Sequence, residues 1–198
     1  MAGTPSVTLK AAFFSRGACD VAPELLGKLL LCADGRAARL VEVEAYMGAD
    51  DPGSHAYRGP TPRTATMFGP PGGLYVYFTY GMHWCANVVC SPAGAASAVL
   101  LRAAEPLAGL ELMKQARWRR QRHQYERDLC RGPARLAEAF GITGADDGSD
   151  LVSDGGRLRL ADDGFPPGSP VQATTRVGLS RGADLPWRFL LQGNRWVS

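Results

Sequence analysis

The sequence predicts an α+β fold built around an antiparallel sheet, and three observations point there. Strand-like and helix-like segments interleave without the strand–helix–strand regularity of a parallel sheet. Residues 73–80 (GLYVYFTY) and 84–90 (WCANVVC) are aromatic and β-branched runs on either side of Gly81, the pattern of a hairpin. A chain of 198 residues, 45% hydrophobic, is long enough to bury a core without disulfides or metal. The expectation is one domain over 1–198, with 1–22 as a less certain lead-in.

Residues 23–31 (PELLGKLLL) read as a helix running toward a strand, with Pro23 early in the helix and Asp20 as its cap. Residues 38–46 (ARLVEVEAY) read as a strand. Alternation sends Val41, Val43 and Ala45 to one face and Leu40, Glu42, Glu44 and Tyr46 to the other. Residues 48–73 form a loop rich in Gly, Pro, Asp, Ser and Thr, long enough to suggest a role of its own. After the hairpin, 96–102 (ASAVLLR) predicts a third strand. Residues 105–121 predict a helix with Leu107, Leu110, Leu112 and Met113 as its apolar stripe, and a second helix runs from Gly132-Pro133 to Phe140. Residues 143–170 read as loop around a short strand at 157–161, and 186–197 as strand again.

The net charge of +3 excludes little. Its distribution says more. Residues 114–135 carry eight Lys or Arg against Glu126 and Asp128, six positive charges net, while the remainder is net negative by three. Such a stretch is either a surface for a polyanion or a solvated helix face. Five Cys, an odd number with no C-x-x-C, give no disulfide framework and no zinc spacing with the three His. The opening residues lack a signal-peptide core, and no apolar run approaches the ~20 residues of a membrane span. The expectation is an intracellular, cytoplasmic protein with no membrane, no metal and no cofactor.

Four features carry candidate chemistry. Glu42 and Glu44 share a strand face, about 6.5–7 Å apart. Flanked by Val, Leu, Ala and Tyr, one of them is expected to be half-buried with its pKa raised, able to act as a general base toward water. The alternative is two solvated Glu on an exposed face. Tyr75, Tyr77 and Thr79 share one face of the hairpin, Phe78 and Tyr80 the other. Tyr80 beside Gly81 is either an incidental tip aromatic or a wedge between bases. His55 stands alone in the long loop. Arg102 ends an apolar strand and, if buried, needs Glu42, Glu44 or Glu105 as partner.

Taken together, the ordered set VEVEAYMG (41–48), GSH (53–55), TPR (61–63), MF (67–68), GGLYVYFTYGMHWCANVV (72–89), VLLRAAEPLAGLELM (99–113), LCRGPARL (129–136), RVG (176–178) and the terminal RF…G…WVS resembles the alkyladenine (3-methyladenine) DNA glycosylase family. The similarity is collinear from about residue 23 onward. It implies a curved antiparallel sheet with surrounding helices and a protruding hairpin that enters the DNA minor groove. The activity implied is hydrolysis of the N-glycosidic bond of alkylated or deaminated purines, flipped out of duplex DNA. By resemblance Glu44 is the general base, and Arg102 and the Val177 carbonyl help to hold its water. Tyr46 and His55 form one wall of the base pocket and Tyr77 the facing wall; Asn87 clashes with the 2-amino group of guanine. Tyr80 fills the gap left by the flipped base. Arg63, Met82, His83 and Gly132 are candidate backbone contacts; His83 departs from the Tyr that relatives often carry. No Lys falls at a matched pocket position, which implies a monofunctional enzyme; a monomer is expected of a protein that must slide along DNA. The competing expectations are a glycoside hydrolase using Glu42 and Glu44 as a carboxylate pair and a non-catalytic DNA-binding module.

Overall fold

The computed structural model describes residues 6–117 and 125–198. In chain order the elements are β1 (Val7–Thr8), α1 (Ala11–Phe14), α2 (Ala18–Leu25), β2 (Leu29–Cys32), β3 (Ala37–Tyr46), β4 (Leu74–Thr79), β5 (His83–Cys90), β6 (Ser97–Ala108), α3 (Leu110–Arg117), α4 (Pro133–Ala139), β7 (Leu158–Asp162), β8 (Val171–Thr174) and β9 (Arg188–Leu191). Among the described residues all strands join one sheet in the order β1-β7-β2-β3-β6-β5-β4, with β9 paired to β3 and β8 to β9. Each of those pairings is antiparallel. The α+β expectation holds.

Period-two alternation divides the sheet into two faces with different work. Val43 and Ala45 of β3, Val76 of β4, Val88 of β5 and Val99 and Leu101 of β6 enter the main core, together with Val21, Ala22 and Leu25 of α2 and Leu136 and Ala137 of α4. The residues between them (Glu44, Tyr46, Tyr75, Tyr77, Asn87, Leu100) face the other way, where a smaller cluster of Ala56, Met67, Tyr75, Val89 and Ala98 backs a cavity. So one apolar layer carries the fold and leaves the opposite layer free for polar chemistry.

Three irregularities interrupt the β3–β6 register, one at the Ala37–Ala38 end and two beside Glu42. One residue is extra in β3 between Leu40 and Glu42, and Arg102 is extra in β6 opposite the Glu42–Val43 step. A bulge re-aims the side chain it carries, and Arg102 is aimed at both glutamates. Glu42 then ties the sheet's fork together. Its Oε1 accepts from Arg102 Nε at 2.8 Å and Arg188 Nε at 2.7 Å, and its Oε2 from the Ser198 N–H at 2.7 Å. Burial, the largest influence, pushes the Glu42 carboxyl up. The Ser198 N–H, the charge of Arg102 and the remaining hydrogen bonds together outweigh it, so the group sits below its ordinary value. The raised pKa expected of a buried strand glutamate is therefore not found at Glu42, because burial came with cationic partners.

Several element boundaries differ from the sequence reading. α2 ends at Leu25 and residues 29–32 are strand, so 23–31 is not one helix. Asp20 lies in the first turn and makes no capping bond, Gly17 is the cap, and Pro23 lies inside the helix rather than at its start. β6 continues to Ala108 because β3 offers a partner as far as Ala37. The predicted 105–121 helix starts only after Gly109, whose φ of +71° and close approach to Arg36 leave no room for a side chain. Leu107 and Leu112 of the expected stripe are exposed and Met113 is buried; residues 118–121 lie outside the described residues. The last predicted strand shortens to Arg188–Leu191. β8 was hidden because its residues are mostly exposed and lack alternation.

The hairpin turns through Tyr80 and Gly81, both at positive φ (51° and 65°), closed by Met82 N–H donating to Thr79 O at 3.1 Å. Residues 80–82 separate the paired Thr79 and His83, and two successive left-handed residues are the backbone of a turn in which Asn is the favoured first residue. Tyrosine there is strained and 82% exposed.

Two outcomes follow from these contacts. Glu42→Gln strips the charge between Arg102 and Arg188 and should cost about 3–5 kcal/mol in denaturant unfolding. A carboxyl depressed in the fold stabilises above its unfolded value near 4.5 and ceases to do so as pH falls through its folded value. Glu42→Gln should therefore flatten the acid limb of the stability curve. Conversely, Tyr80→Asn should raise the melting temperature by about 1–3 °C, as turn strain is relieved; a lower melting temperature would contradict the strain.

Candidate active site

The face opposite the main core holds a cavity of about 370 Å³, within the roughly 300–1,000 Å³ of small-ligand sites. Because β6 and β5 lie between β3 and β4 in the sheet, Tyr46 (β3) and the Tyr75–Tyr77 pair (β4) stand at opposite ends of it. Asn87, Leu100 and Arg102 contribute from the strands between them. Two loops complete the lining: Gly53, Ser54 and His55 from the long loop, and Val177, Gly178 and Leu179.

Glu44 is fully buried from bulk solvent and is the one carboxylate among the described residues lining this cavity. Three donors hold it. Tyr46 Oη–H donates to Oε2 at 2.9 Å, the Val177 N–H to Oε1 at 2.8 Å, and Arg102 Nη1 lies 3.3 Å from Oε1. Burial, followed by the charge of Glu44, pushes the Tyr46 phenol well above its ordinary pKa, so it stays protonated as a donor. A carboxylate gripped on both oxygens has a fixed orientation, which is what a positioned base requires. Glu42 is not among the cavity's lining residues, and both of its oxygens are taken. The spacing that suggested a carboxylate pair serves two separate jobs.

Tyr75 and Tyr77 stack at 5.6 Å between centroids, and His55 sits edge-on to Tyr77 at 4.5 Å. His55 Nδ1 is 3.1 Å from the Tyr75 hydroxyl. His55 therefore belongs with Tyr77, not with Tyr46 as the resemblance paired them. Its loop folds onto β4, and the aromatic contact and the Tyr75 hydroxyl hold it there. Burial lowers the His55 pKa below the ordinary 6.5, and the nearby Arg63 charge lowers it further. Burial, the main influence, raises Tyr75 to about 12 and moves Tyr77 well upward as well. Asn87 is buried and donates its Nδ2 to the Tyr75 carbonyl at 3.1 Å, which fixes its rotamer.

The other expected residues distribute around the mouth. Tyr80 and His83 reach the lining, and Met82 is exposed beside them on the hairpin tip. The Arg63 guanidinium lies 5.7 Å from the Tyr77 ring. Gly132 lines a separate shallow depression with Arg131, Arg135 and Ser198, and the adjacent Pro133 and Ala134 line both. For Val177 the resemblance named the carbonyl; the atom seen at Glu44 is the N–H.

Of the basic 114–135 stretch, residues 118–124 lie outside the described residues, and several of the described cations are engaged within the fold. Arg117 is buried, donating to the Asp128 carbonyl and pairing with Glu138, while Arg135 meets Asp128 and Lys114 meets Glu111.

Sequence reasoning missed Asp51 and Arg176, which form a wholly buried ion pair behind the cavity. Arg176 stood in the quoted RVG segment and Asp51 in the long loop. Only the fold shows that those two segments meet. Among the described residues no group of three His, Cys, Asp or Glu is placed to hold a metal ion, and no helix is long and apolar enough to cross a membrane.

Comparison with known proteins agrees with this geometry. Residues 12–195 match the family model described as Methylpurine-DNA glycosylase (MPG). A protein of Burkholderia lata named "Putative 3-methyladenine DNA glycosylase" is 58% identical over 194 residues, covering 98% of this chain and 92% of the relative. Proteins with that same name in Koribacter versatilis (96% of this chain, 92% of the relative) and Frankia casuarinae (94% and 90%) are each 48% identical. The chain belongs to the methylpurine-DNA glycosylase family, and so is a DNA glycosylase, a hydrolase of base-excision DNA repair.

Proposed function

We propose that this glycosylase excises alkylated purines, 3-methyladenine foremost, from duplex DNA by flipping the damaged nucleotide into the cavity and hydrolysing its N-glycosidic bond with a Glu44-activated water. The observation that carries the proposal is the orientation of Glu44 among three donors in a cavity with tyrosines at both ends. A water between Glu44 and the sugar gives its oxygen to C1′ and its proton to the carboxylate. The C1′–N bond breaks with its electron pair going to the purine. A cationic 3-methyladenine leaves as the neutral base, so this lesion needs no acid. The fixed charge of Glu44 favours the oxocarbenium-like sugar, and Arg102 holds Glu44 and its water in place.

The aromatic walls support selection of damaged bases. Tyr46 on one side and the Tyr77–His55 pair on the other suit a flat purine, and electron-rich rings favour a cationic one by about 1–2 kcal/mol. Asn87, buried and locked by its bond to Tyr75, acts as a stop against the guanine 2-amino group. Tyr80, projecting from a strained turn, enters the minor groove as the wedge. In this reading Arg63, Met82 and His83 meet the DNA backbone beside the cavity, and Gly132 meets it from the adjacent depression. No lysine is among the described lining residues, which supports direct hydrolysis over a Schiff base. Hypoxanthine, ethenoadenine and 7-methylguanine are the further substrates of this reading.

In single-turnover assays with EDTA present, wild-type protein should release 3-methyladenine from an alkylated duplex. Glu44→Gln should slow release by about 10²–10⁴-fold while lesion binding persists. Absence of release by the wild type would leave a DNA-binding module. A second measurement addresses the pocket's charge. The His55 imidazole should titrate below 6.5 by NMR, since burial and Arg63 both disfavour the imidazolium. Arg63→Ala should move that midpoint upward, and an unchanged midpoint would remove Arg63 from the pocket's electrostatics.

A further inference from the structure

We propose that the buried Asp51–Arg176 ion pair is the positioning element that aims the Val177 N–H at Glu44 and joins the two loops lining the cavity. Neither residue lines the cavity, so neither touches substrate; they act through what they hold. The proposal rests on Glu44 being the base.

Both side chains of the pair are wholly buried, and the pairing is two-pronged, with Arg176 Nη1 on Asp51 Oδ2 and Nη2 on Oδ1 at 2.7 Å. Each prong has a second bond. Nη1 donates to the Ala45 carbonyl at 2.9 Å, within the β3 segment between Glu44 and Tyr46, and Nη2 to the Gly182 carbonyl at 3.1 Å. On the other side, Asp51 accepts the N–H of Met47 at 3.2 Å and of Gly53 at 2.9 Å, which shapes the loop leading to His55. The guanidinium lies 4.7 Å from the Tyr46 ring and 5.1 Å from Trp187. Its Nε has no partner, a cost tolerated because the fork and both rings fix the plane.

The link to catalysis is covalent. The N–H that reaches Glu44 belongs to the peptide between Arg176 and Val177. Val177 is itself 49% exposed, so the peptide's position is inherited from Arg176. The clearance is also tight. A Cβ on Gly53 would stand 2.9 Å from both Arg176 Nη2 and Leu179 Cδ1, so the two loops meet at the pair with no space to shift. Lysine cannot replace a guanidinium that makes four directed bonds in one plane.

The test compares Arg176→Lys and Asp51→Asn, each in the wild-type and in the Glu44→Gln background. Single-turnover release of 3-methyladenine from an alkylated duplex and Kd for that duplex are both read. Each variant should slow release by about 10–100-fold, as loss of a supporting partner does at other sites, and leave Kd within about twofold. In the Glu44→Gln background the same changes should have no further effect on rate, because the group they aim is gone. A merely structural role predicts an equal loss in both backgrounds, and that result overturns the proposal. So does an unchanged rate in a variant whose melting curve shows it folded. Asp51→Asn keeps the side chain's shape and serves if Arg176→Lys does not fold. If Glu44→Gln itself retains the wild-type rate, the assignment of Glu44 has failed, a result distinct from failure of the pair.

Discussion

Arg102 is shared by two carboxylates that the fold has taken out of water, and the site depends on that sharing. Burying one ionised carboxylate without a partner costs several kcal/mol, and burying two on neighbouring positions of a strand costs more again. The bulge in β6 removes the difficulty by adding one residue at the right step and turning its guanidinium toward β3. Nε then serves Glu42 at 2.8 Å and Nη1 serves Glu44 at 3.3 Å. The rest of each carboxylate's environment decides its role. Glu42 takes Arg188 and the Ser198 N–H and becomes a knot between β3, β6 and β9. Glu44 takes a phenol and a loop N–H and remains beside the cavity.

The division of faces makes such an arrangement tolerable. β3, β4, β5 and β6 each send alternate residues into the main core, so most of the sheet's apolar burial lies away from the cavity, with a smaller cluster behind its wall. Loops from distant parts of the chain close that side, and a buried ion pair behind the wall ties them together. A rigid sheet with fitted loops lets the pocket be polar at Glu44, aromatic at its two ends and strained at the hairpin tip without compromising the fold.

Much of this was legible in the sequence where local pattern and burial agree. The β3 span, the hairpin and the α4 start at Gly132-Pro133 were read nearly to the residue, but Leu40, expected on the face of Glu42 and Glu44, joins the main core because the bulge after it breaks the alternation. The cavity residues Glu44, Tyr46, Tyr77, Asn87 and Arg102 lie on strands whose faces period two assigns. Boundaries set by tertiary partners were not legible. β6 runs on to Ala108 because β3 is there to pair with it, and local propensity at 105–108 gave no sign of that. The lowered pKa of Glu42 was not legible for the same reason: burial is visible in its neighbours, but the cationic partners come from 60 and 146 residues away. His55 was paired with the wrong wall because its contacts are set by how a long loop packs. The pair of Asp51 and Arg176, 125 residues apart, has no local signature.

The central claim is that the sugar of a flipped nucleotide is brought to Glu44 between aromatic walls. The most direct measurement is a crystal structure of Glu44→Gln bound to a duplex carrying one damaged purine. The account predicts the purine inside the cavity between Tyr46 and Tyr77, with C1′ one water away from the residue 44 side chain and Tyr80 in the vacated stack. A duplex with the damaged base still stacked and the cavity empty, or a purine seated away from residue 44, would contradict it.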